Sequence, residues 1–156
     1  MSILKGSDKV MVYLKEHDLE TRIVSFNEST KNSQLAAEAL GCTIAEIAKS
    51  IVFRAGDAAL IVILSGDKRV DTKKLQSLIG VKVSNADAKM VRDLTGYVIG
   101  GVPPFPHDPN VRIFLDSSLR RFERVWAASG TPNSVMQLKV DQLVRVIGDC
   151  WVEVSV

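Results

Sequence analysis

Residues Ala59 to Leu64 read Ala-Leu-Ile-Val-Ile-Leu, an apolar run with no polar alternation. A run this short and this uniform fits a strand covered on both faces, so the rest of the chain must supply a layer on each side of it. Just before it stands Ile51-Val52-Phe53-Arg54, and Gly56-Asp57 separates the two runs. That pair suits the positive φ values of a tight hairpin turn. The spacing predicts a hairpin whose second strand is central to a sheet.

Helices and strands alternate around this hairpin. Ser7 can cap a helix to about His17, and Arg22 to Phe26 alternates like a half-buried strand. Asn27 to Asn32 is a polar loop, and the alanine-rich Gln34 to Leu40 is helical and stops at Gly41. Thr43-Ile44-Ala45-Glu46 is a capping box, which predicts a short helix to about Lys49. Asp71 or Thr72 caps a helix to Ile79 that Gly80 closes, and Val81 to Val83 is a short strand. Asn85 or Asp87 caps the next helix, with Met90, Val91 and Leu94 inward and Gly96 at its end. Tyr97 to Ile99 reads as a strand into a Gly/Pro loop, and Val111 to Leu115 as a strand ending at Asp116. Ser117 to Phe122 is a turn or short helix, Val125 to Ala128 and Ser134 to Leu138 are strands, Asp141 to Ile147 is a helix, and Trp151 to Val156 is a final strand. This pattern predicts an α+β fold, one domain over 1–156, with a mixed and mostly antiparallel sheet, barrel-like, and helices around it.

Composition narrows the function classes. Twenty basic residues against eighteen acidic ones leave a net charge of +2, so there is no overall basic field and any nucleic-acid contact must be local. Lys68-Arg69, Lys73-Lys74, Lys82, Lys89 and Arg92 form one group of basic residues, and Arg120-Arg121 with Arg124 another; either can touch phosphates or simply be solvated. Cys42 and Cys150 make no CxxC pair and no disulfide framework, which suits a reducing, cytoplasmic setting. No apolar run approaches the roughly 20 residues of a membrane span.

The familiar catalytic motifs are missing. There is no P-loop, no GxGxxG and no GxSxG elbow. His17 and His107 are the only histidines, and neither stands at zinc-ligand spacing from a cysteine or carboxylate, so neither a metal nor another cofactor is expected. What remains is a scattered constellation. Gly100-Gly101-Val102-Pro103-Pro104-Phe105-Pro106 is a stiff, bent loop, either a structural turn or a binding loop. Lys49, at the entrance to the buried strand, must either snorkel to water or meet an anionic or carbonyl group. Asp116 is either a helix cap or a pocket residue, and Ser129-Gly130-Thr131 is either a turn or a second pocket wall. If the strands that carry them are neighbours, these pieces form a pocket.

Five stretches then stand in one order: Ala36-Ala37-Glu38-Ala39-Leu40-Gly41, Ile47-Ala48-Lys49-Ser50-Ile51-Val52-Phe53-Arg54, Gly100-Gly101-Val102-Pro103-Pro104-Phe105, Leu115-Asp116-Ser117-Ser118-Leu119 and Ala127-Ala128-Ser129-Gly130-Thr131-Pro132-Asn133. In this the chain resembles the YbaK/EbsC family, the prolyl-tRNA editing domain and its freestanding relatives, from about Phe26 to the C-terminus. The resemblance implies a trans-acting deacylase that hydrolyses the ester of mischarged proline tRNA, without a metal or covalent nucleophile. It implies alanine as the first choice of amino acid removed, cysteine as the second, and serine or threonine as the third. It places the family's lysine on Lys49 and its GXXXP loop on Gly100 to Pro104, so that Lys49, Gly100 and Gly101 are the expected catalytic positions. Pro104, Asp116, Ser129, Gly130, Thr131 and Thr30 are the expected substrate contacts. Pro106 stands where many members have glycine. The expected partners are the acceptor end of aminoacyl-tRNA and a prolyl-tRNA synthetase or other translation factor, with no membrane. The alternative is a binding module of the same fold that recognises tRNA ends or a synthetase without chemistry.

Overall fold

In the computed structural model, which describes residues 6–27 and 32–156, the chain runs α1 (Gly6–Glu16), β1 (Arg22–Ser25), α2 (Ser33–Leu40), a 3₁₀ turn (Ile44–Glu46), β2 (Ile47–Ala55), β3 (Ala58–Ser65), α3 (Thr72–Ile79), β4 (Val83–Asn85), α4 (Ala88–Thr95), β5 (Arg112–Asp116), a second 3₁₀ turn (Ser117–Arg121), β6 (Arg124–Ala128), β7 (Ser134–Lys139), α5 (Val140–Ile147) and β8 (Trp151–Val152). The strands form a mixed sheet in the order β1-β7-β6-β2-β3-β5-β8, with β4 added to β2. β1·β7, β6·β7, β2·β3 and β2·β4 are antiparallel, and β2·β6, β3·β5 and β5·β8 are parallel.

The hairpin sits where the apolar run requires. β2 and β3 pair from Ala48↔Ser65 to Ala55↔Ala58, and Gly56 takes φ +64 in the turn between them. β3 is buried from Ala59 to Ser65. Leu60, Val62 and Leu64 pack with Phe53 and the α3 residue Leu75, while Ile61 and Ile63 pack with Val102, Leu115 and Met136 on the other face. Side chains that alternate across a strand therefore find a separate apolar layer on each side.

Several element boundaries differ from the sequence expectation. The helix from Thr43 ends at Glu46 rather than near Lys49, because Ile47 and Ala48 are taken into the sheet by Trp126 and Ala127 of β6. The strand expected at Val81 to Val83 is shifted to Val83–Asn85, where it pairs with Phe53 to Ala55. Tyr97 to Ile99 is not a strand: Tyr97 is buried and donates its hydroxyl to Pro106 O at 2.8 Å, and Val98 O accepts from Gly101 N at 2.9 Å to close a turn. Of the inward residues expected on α4, Val91 is buried and Met90 and Leu94 are partly exposed. The final strand is cut to Trp151–Val152, and the sheet is open rather than a closed barrel. The chain turns away there because Asp71 N donates to Val154 O, and Arg69 and Val156 exchange main-chain bonds.

Asp116 anchors that departure. Its carboxylate accepts from Ser118 N and from Val154 N, both at 3.0 Å, at a fully buried position. Burial pushes this carboxyl up, but the hydrogen bonds from Ser118, Val154 and Ser155 outweigh it and hold the group below its ordinary value. Asp116→Ala is expected to cost about 3 kcal/mol in urea unfolding at neutral pH, since it orphans two buried amides. A carboxyl depressed in the folded state stabilises above its unfolded value. The difference between wild type and variant should therefore shrink as pH falls below about 4.

Candidate functional site

β2 has β3 along one edge, but its other edge is shared. β6 pairs only with Ile47 and Ala48, and β4 only with Phe53 to Ala55. Between them no described strand pairs with β2. A cleft of about 410 Å³ opens at this gap, and Lys49, Ser50, Gly66, Gly100, Val102 and Ser134 are among the residues that line it. That volume is in the range of a small-ligand site.

Lys49 stands opposite Leu64 on β2 and donates from Nζ to Gly66 O at 3.3 Å. Burial pulls its ammonium below the ordinary lysine value; the Asp67 carboxylate opposes the fall and the Arg69 guanidinium adds to it. Asp67 is itself gripped by Arg121, whose guanidinium donates to both carboxylate oxygens at 2.7 and 3.1 Å. The result is a half-buried cation at the cleft wall that, among the described residues, makes one long hydrogen bond.

The facing wall is the Gly/Pro loop. Gly100 takes φ +84, a conformation open to glycine, in the turn closed by Gly101 N and Val98 O. A Cβ on Gly101 would lie 2.7 Å from the Thr131 carbonyl carbon, so this loop and the Ser129 to Asn133 loop pack main chain to main chain. His107 braces the loop from behind, its Nε2 2.6 Å from Pro103 O. A carbonyl only accepts, so Nε2 carries the hydrogen. Burial keeps this imidazole below its ordinary value.

Residues 27–146 match the aminoacyl-tRNA editing domain family. The chain belongs to this family. It is 34% identical over 149 residues to the uncharacterized Bacillus subtilis protein YwhH, covering 93% of this chain and 94% of that one. It is 27% identical over 151 residues to the Escherichia coli multifunctional Ser/Thr-tRNA deacylase ProXp-y, covering 91% and 90%. A solved structure of a candidate trans-editing enzyme for prolyl tRNA synthetase superposes with a TM-score of 0.89 at 31% identity, covering 99% of both chains.

The fold brings together some of the residues singled out in this editing-family chain and separates others. Lys49 and Gly100 line the cleft. Gly101 lies behind it, its N–H already spent on Val98 O and not free for a ligand. Pro104 faces a second hollow with Phe105, Pro106 and His107. Asp116 is outside the cleft lining and both its oxygens are used within the fold. Gly130, at φ +101, leaves room for the Gly6 main chain at the start of α1. Ser129 and Thr131 are outside the lining but reach it through Ser134. Ser129 Oγ donates to Ser134 Oγ at 2.6 Å; Thr131 Oγ1 gives its hydrogen to Asn133 Oδ1 at 2.8 Å and so accepts from Ser134 at 2.7 Å. Thr30 lies outside the described residues. Of the second basic group, Arg121 is committed to Asp67, and Arg120 lies over the Trp151 ring at 4.5 Å.

Sequence reasoning passed over Ser50, Gly66 and Ser134. Only Ser50 carried a signal, as the one hydroxyl within the apolar run Ile47 to Phe53 apart from Lys49's charge. Among the described residues no cluster of His, Cys, Asp and Glu could hold a metal, and no helix is long and apolar enough to cross a membrane.

Lys49 should titrate below the ordinary lysine range when followed by side-chain NMR. Asp67→Asn should lower it further, because that substitution removes the opposing negative charge.

Proposed function

We propose that this chain is a freestanding deacylase that acts in trans, hydrolysing the ester of a wrong, small amino acid on the acceptor end of proline tRNA, in the cytoplasm. The observation that carries this reading is the convergence of Lys49 and the Gly100 turn on one cleft whose described lining has no histidine, cysteine or carboxylate. Lys49 and Ser50 are consecutive on β2 and project to opposite faces, so they do not form a nucleophile–base pair. An aminoacyl ester is already activated, and its hydrolysis needs a placed water and a polarised carbonyl more than a strong nucleophile. In this reading Lys49 holds the terminal phosphate or the ester region as a point charge. Gly100, without a side chain, lets the ester approach the main chain. The family resemblance supplies the substrate's own ribose hydroxyl as activator of the water.

The size limit follows from the walls. The loop at Gly100 and Gly101 is locked against Thr131 and braced by His107, so it has little freedom to move aside for a bulky side chain. All four small side chains fit such walls, and among them the family resemblance ranks alanine first, cysteine second, and serine or threonine third. A prolyl-tRNA synthetase is the proposed partner, since charged proline tRNA leaves that enzyme.

The test is a deacylation panel of proline tRNAs carrying alanine, cysteine, serine, threonine and leucine. The small four should be cleaved at least about tenfold faster than the leucyl form. Lys49→Ala should abolish cleavage while its unfolding free energy stays within about 0.5 kcal/mol of wild type, because it removes a charge contact and not core volume. Binding of charged tRNA without any hydrolysis would instead identify a non-catalytic module.

A further inference from the structure

Ser50 lies at the middle of the unpaired stretch of β2. Ile47 O accepts from Gly66 N at 2.7 Å on the β3 side, and Val52 O accepts from Ala86 N at 3.1 Å on the opposite side. Main-chain groups two residues apart in a strand point to the same edge, so Ser50 turns its N–H and C=O to the edge that Val52 uses. It stands past the last residue paired with β6 and before the first paired with β4, and no described strand meets it there. Its side chain falls on the face shared by Ala48 and Val52, which pack in one cluster with Val102. On that apolar floor its Oγ is sealed from water and has no partner, and the residue lines the cleft beside Gly100 and Val102. Buried hydroxyls in folded proteins are almost always bonded. This one stands beside an amide and a carbonyl of the same residue that no described strand pairs on this edge, so its polar groups face one ligand position.

We infer that Ser50 is a specificity-determining residue whose Oγ bonds a hydroxyl on the side chain of the aminoacyl group, so that the enzyme prefers serine to an apolar side chain of equal size. The inference rests on the deacylase reading and refines it, lifting serine above the place that the family resemblance gives it. An apolar side chain would leave the Ser50 hydroxyl as unpartnered as it is in the free protein, whereas a hydroxyl would give it the bond it lacks, and sites with a polar group to satisfy favour the ligand that satisfies it. A serine hydroxyl both donates and accepts, so it matches a serine partner in either direction.

The test compares proline tRNA charged with serine and with 2-aminobutyrate, which puts a methyl where serine has its hydroxyl. Wild type should cleave the seryl form faster by about tenfold, the worth of one neutral hydrogen bond. Ser50→Ala should bring the two rates within about threefold of each other, and Ser50→Thr, which keeps a hydroxyl at a strand position that tolerates β-branching, should retain the seryl preference. A merely structural role for Ser50 would lower both rates together and leave the ratio alone. That result, or an unchanged ratio in Ser50→Ala, overturns the inference while the deacylase reading stands. Failure of wild type to cleave either tRNA overturns both.

Discussion

The site depends on a strand partner that is withheld. β2 is hydrogen-bonded along the whole of one edge, but on the other β6 departs after Ala48 and β4 arrives only at Phe53. An unpaired edge inside a sheet is costly unless something covers it or a ligand uses it. Here a Gly/Pro loop and not a strand stands opposite, which leaves a cleft in place of a ladder. Because side chains alternate, the same short stretch offers a cation on one face at Lys49 and a hydroxyl on the other at Ser50.

The walls of that gap are stiff for identifiable reasons. Gly101 packs against the main chain of Thr131 and Pro132, Gly130 against the main chain of Gly6, and His107 and Tyr97 tie the carbonyls of Pro103 and Pro106. A relay of hydroxyls from Ser129 through Ser134 and Thr131 to Asn133 fixes the second loop, and Asn133 in turn bonds Phe26. Preorganised main chain of this kind suits a reaction in which positioning matters more than a reactive side chain.

Much of this fold was legible in the residues. The uniform run Ala59 to Leu64 announced a central strand, Gly56-Asp57 its hairpin, and Asp71, Asp87, Gly41, Gly80 and Gly96 the helix ends, because each of those signals is local. The start of β2 was not legible: Thr43 to Glu46 carries a real capping box, but the pairing of Ile47 and Ala48 with β6 is a contact about eighty positions distant in sequence. The site divided in the same way. Lys49 and Gly100 were readable as a tethered cation and a permissive turn. Asp116 looked like a pocket residue but is consumed by Ser118 and Val154, and only the fold reveals that partner at the far end of the chain. Ser50 stands out in the sequence only as a lone hydroxyl in an apolar run, and its meaning shows once the missing pairing around it is seen.

The central claim is that the gap on β2 receives the aminoacyl end of the substrate. The most direct measurement is amide NMR while a non-hydrolysable aminoacyl-adenosine analogue is added. Shift changes concentrated at Lys49, Ser50, Gly66, Gly100 and Ser134 are the predicted result. Changes concentrated instead at the hollow around Pro104 to Asp108, with the β2 gap unmoved, would contradict it.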